Sequence, residues 1–546
     1  MNNHLEMRVY SSLEKIFPHQ APAVKAEELR LSAMYGERVS FQISYRLSKN
    51  WYRTWGRLKR NAPKGMELTL RRVRYIPGSV PQNYKTDEGY ITTETGLFPD
   101  LLEPCNPEQL PLIAGIWQTI WVDVEVSPGV VCGEINFHIE NANGEVLAGD
   151  KVALNVVPVQ LPPLVIPHTR WFHTDCLATY YEVDVFSEEY WRTVENFAAY
   201  AVRHGINALL TPVFTPPLDT AIGGERPTVQ LVDVTATGEK YTFGFEKLER
   251  WVQMCKRVGV EYFEISHLFT QWGAKHAPKI VARDGTRLFG WETNATGPEY
   301  TNFLRQFLPA LTAKLEESGI ADKSFFHISD EPSIDSLGQY TAARKIVEPY
   351  LEGYKIVDAL TDYNFYKHGA VSVPIPSVDH IEPFLEGNVP ELWCYYCCAQ
   401  SYLVPNLFFT QPSYRNRILG VLLYKYDIAG FLQWGYNFYN SMHSLYPVNP
   451  FVVTDADGAF PSGDPFVVYP GPDGQPLGSI RLMAAQEAFN DLRALRLLEQ
   501  LTGRDYVLAL IDEGLQQSIT FNCFPQNAEY VLALRQRVNE EIARRK

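Results

Sequence analysis

The feature that most constrains the fold is a regular alternation of short apolar segments and longer amphipathic segments between about residues 165 and 440. Short apolar segments are typical of buried parallel strands, and apolar residues three or four apart are typical of the helices that connect them. Eight strand candidates occur here: RWFHTD (170–175), NALLTPV (207–213), YFEISHL (262–268), KSFFHIS (323–329), YKIVDAL (354–360), VDHIEP (378–383), ELWCYY (391–396) and GFLQWGY (430–436). Eight strands alternating with helices over about 270 residues predict a (β/α)8 barrel of the α/β class, whose functional site gathers at the carboxyl ends of the strands.

The helices expected between these strands have recognisable ends. Ser187 is a typical N-cap for a helix that ends at Gly205. Further helices are predicted over residues 246–258, 298–318, 336–351 and 413–427. One interval does not fit, because too few residues separate VDHIEP from ELWCYY for a connecting helix. Either a local irregularity or a wrongly assigned strand is expected there.

The first part of the chain follows a different pattern, in which apolar and polar residues alternate, as at Val39, Phe41 and Ile43. This period of two is typical of strands with one buried face. The clearest strand candidates are ERVSFQISYRL (37–47), MELTLRRVRYI (66–76), TIWVDVEV (119–126), EINFHIE (134–140) and KVALNVVPV (151–159). Asn143-Gly144 predicts a hairpin turn between the last two. These segments predict an all-β sandwich.

Two further features divide the chain. The proline-rich segment LPPLVIP (161–167) disfavours both sheet and helix and predicts a linker. Beyond residue 480 the apolar residues return to helical spacing. The predicted domains are a β-sandwich over residues 1–160, a linker over 161–168, a catalytic barrel over 169–480, and a helical segment over 481–546 that packs on the barrel.

Composition narrows the class of function. Lys and Arg number 49 against 63 Asp and Glu, a net charge of −14, which disfavours nucleic acid as a partner. No apolar run approaches the roughly 18 residues of a membrane helix. Eight cysteines are too few for a disulfide scaffold, and the N-terminus lacks the pattern of a secretory leader, so a cytoplasmic protein is expected. Aromatic residues make up 13% of the chain, which favours an enzyme that binds ring-shaped small molecules.

Several common catalytic motifs are missing from the sequence. It contains no phosphate-binding GxxxxGK[ST], no GxGxxG after a strand, no HExxH and no GxSxG. Cys394, Cys397 and Cys398 include a CxxC, but no second pair follows at the spacing that a structural zinc site needs. We therefore expect no metal and no cofactor.

The strongest candidate for chemistry is the pair Asp330 and Glu331, which ends the fourth strand candidate and precedes Pro332. Pro332 is expected to hold Glu331 in an extended conformation, so that both acids can face one pocket. Two carboxyl groups so close cannot both stay ionised without cost, which makes one of them a general acid near neutral pH. The alternative is that both acids only begin the helix that follows.

Two-carboxylate glycosidases ordinarily place their acids on different strands, about 5 Å or more apart, and adjacent acids do not suit that arrangement. They suit a substrate with a 2-acetamido group, whose carbonyl oxygen can attack the anomeric carbon. One acid would then protonate the leaving oxygen, while its neighbour would hold the acetamido N–H and balance the positive charge of the cyclised intermediate.

At this point the sequence resembles glycoside hydrolase family 123, the bacterial N-acetyl-β-galactosaminidases, and related proteins that share their catalytic domain. The resemblance rests on HISDEP (327–332), ELWCYYCC (391–398), RNRILGVLLYKYDIAGFLQWGYNFYN (415–440) and GDPFVVYPGPDGQPLGSIRL (463–482). It implies a β-sandwich before a (β/α)8 barrel, with Asp330 orienting the acetamido group and Glu331 acting as general acid and base.

Other residues at predicted strand ends are candidates for binding the sugar. Trp393 and Tyr395 lie on the seventh strand candidate, and Trp434 and Tyr436 on the eighth, each pair spaced to share one face. Tyr395 is a candidate donor to the acetamido oxygen. Weaker candidates are His267, Trp272, Asp362 and Asn437. For each aromatic residue the alternative is that it fills the barrel core.

The functional prediction is a retaining, exo-acting β-N-acetylhexosaminidase that releases N-acetylgalactosamine or N-acetylglucosamine. Its expected partner is a short oligosaccharide or glycoside that bears a 2-acetamido sugar, and a homo-oligomer is possible. The alternative function is a non-catalytic carbohydrate-binding protein on the same barrel. The two differ in one observation, the release of a phenol from an aryl N-acetyl-β-galactosaminide.

Overall fold

The computed structural model describes residues 5–23, 28–48, 54–83 and 85–546. The chain forms two compact units. The first, called the sheet unit, comprises residues 1–164, 403–425 and 477–546. The second, called the barrel unit, comprises residues 165–402 and 426–476. Each segment of the sheet unit after residue 164 therefore follows a segment of the barrel unit in the sequence.

The strands are numbered here in chain order. The first ten are β1 (Leu5–Ser11), β2 (Arg30–Tyr35), β3 (Glu37–Leu47), β4 (Thr54–Asn61), β5 (Glu67–Gly78), β6 (Gly96–Pro104), β7 (Leu110–Leu112), β8 (Gln118–Val126), β9 (Gly133–Glu140) and β10 (Val146–Gln160). The next seven are β11 (His168–Arg170), β12 (Ala208–Thr211), β13 (Asp233–Thr237), β14 (Lys240–Gly244), β15 (Tyr262–Ile265), β16 (Ile280–Val281) and β17 (Arg287–Phe289). The last seven are β18 (Ser324–Phe326), β19 (Lys355–Ala359), β20 (Val373–Ile375), β21 (Trp393–Tyr395), β22 (Gly430–Gln433), β23 (Val468–Pro470) and β24 (Pro476–Ser479).

The α-helices are numbered in the same way. The first six are α1 (Thr174–Tyr181), α2 (Glu188–Arg203), α3 (Glu246–Val258), α4 (Pro298–Glu317), α5 (Leu337–Val347) and α6 (Tyr363–Lys367). The last six are α7 (Glu382–Glu386), α8 (Ser413–Arg417), α9 (Leu419–Lys425), α10 (Ile480–Thr502), α11 (Arg504–Asp512) and α12 (Ala528–Ala543). Ser187 caps α2 by accepting a hydrogen bond from the Tyr190 N–H, as the sequence predicts.

The predicted β-sandwich is present in the sheet unit. Its strands follow the orders β1-β3-β8-β5-β6-β24 and β2-β10-β9-β4-β7, with mostly antiparallel neighbours. Alternate residues of both sheets form one core, in which the rings of Phe41 and Phe137 meet edge to face at 5.7 Å. Gly144 has a φ of 83° in the predicted hairpin turn between β9 and β10. The period of two was therefore a sound guide to these strands.

The barrel unit contains eight parallel strands in the order β20-β19-β18-β15-β12-β11-β22-β21. A bridge between Ser377 and Tyr395 joins the two ends of this order and closes the barrel. Apolar side chains that include Leu210, Phe325 and Leu432 fill its interior. The predicted (β/α)8 barrel is therefore confirmed, and its strands deliver their carboxyl ends to one face.

The sixth strand was wrongly assigned. The sixth strand is β20, which precedes VDHIEP, and residues 378–383 instead form a turn and the beginning of α7, with Pro383 in its first turn. This removes the interval that had no room for a helix. A segment of only six residues, three of them apolar, does not distinguish a strand from the start of a helix by its pattern alone. The first candidate is also displaced, because β11 ends at Arg170, where RWFHTD begins.

The C-terminal helices belong to the sheet unit, so the division differs from the predicted segment boundaries at 480 and 481. Buried ion pairs bind them to its strands, Arg481 with Asp100 at 2.9 Å and Arg535 with Glu37 at 2.6 Å. Helix α10 also packs on α8 and α9, which connect β21 to β22. A Cβ on Gly420 would lie 1.8 Å from the Ala488 carbonyl oxygen, so only glycine permits this approach. No helix in the described ranges has the length and apolarity to cross a bilayer.

Candidate active site

The predicted acid pair lies where β18 gives way to a loop. Asp330 and Glu331 both line a cavity of about 700 Å3, including its open mouth, at the carboxyl ends of the barrel strands. Glu331 has a φ of 42°, so the prediction that Pro332 keeps it extended was wrong. A positive φ costs a non-glycine residue roughly 1–3 kcal/mol, and such strain persists only where the surrounding structure enforces it.

Hydrogen bonds from the loop after β15 fix the strand end. The Trp272 N–H donates to the Asp330 carbonyl oxygen at 2.8 Å, and the Leu268 N–H donates to the His327 carbonyl oxygen at 3.2 Å. The Ser329 hydroxyl donates to the Thr270 carbonyl oxygen at 2.8 Å and accepts from two backbone N–H groups of the same loop. These contacts hold the chain up to Asp330 and so fix the point at which the acid pair leaves the strand.

The cavity has mainly apolar and aromatic walls with a few polar groups, the composition typical of small-molecule sites. Its lining residues are Trp171, Leu218, Asp219, Gln271, Trp272, Asp330, Glu331, Ala359, Tyr395, Cys397, Cys398, Leu432, Trp434 and Phe460. All of them belong to the barrel unit. The space and its rings suit a sugar with flat apolar faces.

Asp330 is half-buried, and in the described part of the chain its side chain receives no hydrogen bond. Burial raises the pKa of Asp330 well above its usual range, and the charge of Glu331 raises it further. A half-buried carboxyl group that receives no hydrogen bond within the described chain can accept one from a ligand N–H or O–H.

Glu331 is exposed toward the cavity and has one strong partner, because the Tyr395 hydroxyl donates to Glu331 Oε1 at 2.6 Å. Protein atoms around the carboxyl group still deprive it of water, and this desolvation raises the pKa of Glu331. The hydrogen bond from Tyr395 opposes the rise. The two neighbouring carboxyl groups therefore titrate as a pair, and each favours a shared proton over two charges.

A network of buried charges lies behind the pair. His327 Nε2 is 2.7 Å from Glu264 Oε1, and His327 Nδ1 is 3.3 Å from Asp358 Oδ1. Burial lowers the pKa of His327, but the two carboxylates outweigh it and raise the pKa to about 9. His267 stacks on this imidazole with ring centroids 4.3 Å apart.

Three of these side chains have the spacing of metal ligands. His267, His327 and Asp358 each place one donor atom within 4.8 Å of the others. Both nitrogens of His327 already face carboxylates, and a protonated imidazole has no lone pair to give to a metal. The donor set therefore fits an ion-pair network better than a metal site.

The structure brings together only part of the predicted site. Tyr395, Trp434 and Trp272 line the cavity with the acid pair. Trp434 is held by its indole N–H, which donates to Asp464 Oδ2 at 2.8 Å. Trp272 is 43% exposed at the mouth, with a φ of 60°.

Five predicted residues do not line the cavity and are corrected here. Trp393 packs on Phe325 in the barrel core, one layer below Tyr395. Tyr436 donates its hydroxyl hydrogen to the Phe197 carbonyl oxygen, because β22 ends at Gln433 and the period of two stops there. The other three have structural partners: Asn437 bonds the backbone of His173, His267 stacks on His327, and Asp362 caps α6.

The sequence interpretation missed several lining residues, among them Asp219, Gln271 and Phe460. Asp219 lies in the loop after β12, where the strand-end rule could have found it. Its carboxylate accepts the His443 N–H at 3.0 Å, and its carbonyl oxygen accepts the Ser444 hydroxyl at 2.7 Å. Asp219 therefore secures the loop that carries residues 441–446 at the rim. Phe460 lies after β22, the last barrel strand in the sequence, where no periodic pattern indicates a site.

Comparisons with known proteins identify the family and the fold. The model of the glycoside hydrolase 123 catalytic domain matches residues 171–498, more than half of the chain. The structure is similar to that of a family 123 glycoside hydrolase from Clostridium perfringens studied for glycolipid glycan hydrolysis, with a TM-score of 0.74, 13% identity and 99% of each chain covered. At that identity the likeness shows the fold.

Two other solved structures overlap much less closely. A GH5 xyloglucanase from Bacteroides ovatus has a TM-score of 0.30 and 8% identity, over 86% of this chain and 99% of its own. A β-glucuronidase from Parabacteroides merdae has a TM-score of 0.30 and 9% identity, over 87% of this chain and 50% of its own. No curated protein sequence matches the chain. Because the family model matches residues 171–498, the chain belongs to glycoside hydrolase family 123.

Proposed function

We propose that this protein is a retaining, exo-acting glycoside hydrolase that removes β-linked N-acetylgalactosamine or N-acetylglucosamine by substrate-assisted catalysis. The observation that carries the proposal is the placement of Asp330 and Glu331, adjacent in sequence and facing one cavity. Asp219 is the other carboxylate in the cavity wall, and its hydrogen bonds tie it to the rim loop. Adjacent carboxyl groups do not suit the usual two-carboxylate arrangement on separate strands, and the acetamido group of the substrate can supply the nucleophile.

In the first step the acetamido oxygen forms a bond to the anomeric carbon as the bond to the leaving oxygen breaks. Glu331 gives its proton to the leaving oxygen, and Asp330 accepts the hydrogen bond of the acetamido N–H. The result is a cyclic oxazolinium ion whose positive charge lies beside the Asp330 carboxylate. In the second step Glu331 takes a proton from water, the water oxygen bonds to the anomeric carbon, and the ring opens with overall retention.

Tyr395 links the acid to the substrate in this scheme. Its hydroxyl donates to Glu331, which favours the ionised form of that residue. When the acetamido oxygen accepts this hydrogen bond instead, Glu331 loses a partner that favours its anion. Binding of a 2-acetamido sugar would then raise the pKa of Glu331, so that Glu331 carries the proton that the leaving oxygen needs.

The size and lining of the cavity support a short substrate. About 700 Å3, including the mouth, suits one sugar ring with part of a second group, and Trp434 and Trp272 offer flat faces for stacking. A short oligosaccharide or glycoside with a terminal 2-acetamido sugar meets these limits. The glycolipid glycan hydrolysis studied in the C. perfringens relative supports a glycan as the substrate class.

A direct test uses three 4-nitrophenyl β-glycosides: the N-acetylgalactosaminide, the N-acetylglucosaminide and the galactoside, which lacks the acetamido group. We expect release of 4-nitrophenol from at least one acetamido substrate, none from the galactoside, and a β-configured product in the first NMR spectra. An α-configured first product would contradict retention. Binding of an acetamido sugar without release of phenol, by a correctly folded protein, would favour the carbohydrate-binding alternative.

A further inference from the structure

The cavity wall holds one more carboxylate, Asp219, which has no role in the scheme above. Asp219 lies in the loop between β12 and β13 and lines the cavity together with Asp330 and Glu331. The His443 N–H donates to Asp219 Oδ2 at 3.0 Å. The other oxygen, Oδ1, accepts no hydrogen bond from any described residue, and His443 Nδ1 lies 4.0 Å from it. Oδ1 is not enclosed by protein atoms, so it is accessible from the cavity that Asp219 lines.

We propose that Asp219 is a specificity-determining residue, whose Oδ1 accepts a hydrogen bond from a hydroxyl group of the terminal 2-acetamido sugar while Asp330 accepts the acetamido N–H. The inference rests on the proposed function and deepens it, because it names a second point at which the site recognises the sugar. In a 2-acetamido hexose, C1 carries the leaving group and C2 carries the acetamido group. The hydroxyl that Asp219 binds is therefore the one at C3, C4 or C6.

The charges in the cavity wall favour a neutral hydroxyl as the partner of Oδ1. Among the described lining residues, Asp219, Asp330 and Glu331 are the charged ones, and Lys, Arg and His are absent. A carboxylate accepts hydrogen bonds and repels other anions. A sulfate or carboxylate substituent on the sugar would find no cation in this wall, whereas a hydroxyl group supplies the donor that Oδ1 lacks.

One loop fixes the position of Asp219 relative to the acid pair. In the loop after β15, the Gln271 side-chain amide donates to the Thr220 carbonyl oxygen at 3.1 Å. The next residue of that loop, Trp272, donates its backbone N–H to the Asp330 carbonyl oxygen at 2.8 Å. The acceptor for the hydroxyl and the acceptor for the acetamido N–H are therefore both held to the same short segment.

The backbone of Asp219 itself is also constrained. Its φ is 39°, a conformation that a residue other than glycine keeps only where the surroundings enforce it. The Arg226 guanidinium donates to the Leu218 carbonyl oxygen at 3.0 Å, and the Ser444 hydroxyl donates to the Asp219 carbonyl oxygen at 2.7 Å. These contacts suit a preorganised acceptor, and they would equally suit a residue that only fastens the rim loop. The test must therefore separate the sugar from the rim.

The test measures kcat/KM of the wild type and of Asp219→Asn on four 4-nitrophenyl β-glycosides. One is the acetamido sugar that the wild type hydrolyses best, and the others are its 3-deoxy, 4-deoxy and 6-deoxy analogues. Asp219→Asn retains a side-chain oxygen for the His443 N–H and places an amide nitrogen where Oδ1 faces the cavity. The variant therefore keeps the rim contact and changes the group that meets the sugar.

We expect loss of one of the three hydroxyls to lower the wild-type kcat/KM by about 10- to 100-fold. On the parent glycoside the wild type should exceed Asp219→Asn by about tenfold or more. On the deoxy analogue that lacks the bound hydroxyl, the two proteins should agree within about threefold. The control, Asp284→Asn, changes an exposed carboxylate that also accepts one backbone N–H, from Thr286 at 2.9 Å, and it should match the wild type on all four substrates.

A ratio of wild type to Asp219→Asn that is the same on all four substrates would overturn the proposal, because Asp219 would then act only through the rim loop. A wild type whose kcat/KM is lowered by none of the three deletions would also overturn it, and this result does not depend on the folding of a variant. If the wild type hydrolyses no acetamido glycoside, the proposed function fails. Hydrolysis that is indifferent to all three hydroxyls refutes the further inference alone.

Discussion

Two regions of this protein bury charged groups in opposite ways. In the sheet unit, Arg417 lies 2.8 Å from both Glu487 and Asp491, and Arg535 lies 3.0 Å from Asp491 and 2.6 Å from Glu37. In the barrel unit, the Asp330 carboxylate has no hydrogen-bonded cation in the described chain, and Glu331 has only the Tyr395 hydroxyl. The sheet unit pairs these carboxylates with guanidinium groups, whereas the cavity of the barrel unit leaves Asp330 and Glu331 without a hydrogen-bonded cation in the described chain.

The contrast separates structural from chemical use of carboxylates. Carboxylates that are paired with guanidinium groups hold helices to strands. Their acceptor positions are already filled, so they cannot bind a ligand. Unpaired carboxylates in a cavity have raised pKa values and vacant acceptor positions, the properties that acid-base catalysis and recognition of an N–H require. The cost of leaving them unpaired is expected to appear as lost stability.

The largest effect is expected at the general acid. Glu331→Gln should lower kcat/KM by about 10²- to 10⁴-fold on alkyl or sugar leaving groups, because the leaving oxygen then receives no proton. The loss should be much smaller on 2,4-dinitrophenyl substrates, which depart without protonation. The control is Asp335→Asn, an exposed carboxylate on the same loop that does not line the cavity. Equal losses on both classes of substrate would refute the role of Glu331 as acid.

The next largest effect is expected at the buried ion pairs of the sheet unit. Arg417→Met should lower the free energy of unfolding by about 3–5 kcal/mol, because it leaves the buried Glu487 without its cation and Asp491 with Arg535 alone. The kcat of the folded fraction should stay close to that of the wild type. Denaturant unfolding and an assay at low temperature measure the two quantities. A variant as stable as the wild type would show that these pairs contribute little.

Asp330→Asn should have the opposite effect to Arg417→Met: activity should be lost and stability kept. We expect kcat to fall by about 10²- to 10³-fold even on activated substrates, because the intermediate loses the charge beside it. The same change relieves repulsion with Glu331, so the melting temperature should hold or rise. Thermal unfolding of the variant beside Arg417→Met makes the comparison direct. A large fall in stability would indicate that Asp330 is structural.

The pH dependence of stability should also distinguish the regions. The pKa of His327 is raised from 6.5 to about 9, so its contribution, on the order of 3 kcal/mol, is fully present below pH 6.5. It is lost as the pH rises through about 9. The difference in unfolding free energy between wild type and His327→Gln should shrink over this interval. The corresponding difference for Arg417→Met should stay constant there, because guanidinium groups stay charged.

The smallest effect is expected at the cavity mouth. Trp272→Ala should raise KM by roughly tenfold through lost stacking, with little change in kcat. The control is Trp55→Ala, an exposed tryptophan of β4 in the sheet unit. If kcat falls instead, Trp272 acts through its backbone contact with Asp330 and not through the sugar.

Much of the fold could be predicted from the sequence because its elements have clear periods. ERVSFQISYRL matches β3, and the helix over 246–258 matches α3. VDHIEP misled because a segment of six residues, three of them apolar, fits a strand or the start of a helix. The acid pair could be located because it directly follows a strand, whereas Tyr436 and Asn437 lie beyond the end of β22, where a period of two no longer applies. The Glu264–His327–Asp358 network depends on neighbouring strands, and no local pattern reveals it.

The central claim is that the acetamido oxygen of the substrate attacks the anomeric carbon while Asp330 and Glu331 assist. The most direct measurement is kcat/KM of the wild type on 4-nitrophenyl N-acyl-β-galactosaminides whose acyl group carries none, one, two or three fluorine atoms. We predict a steep, progressive fall along the series, because each fluorine withdraws electrons from the attacking oxygen. Rates that do not change with fluorination would contradict the account.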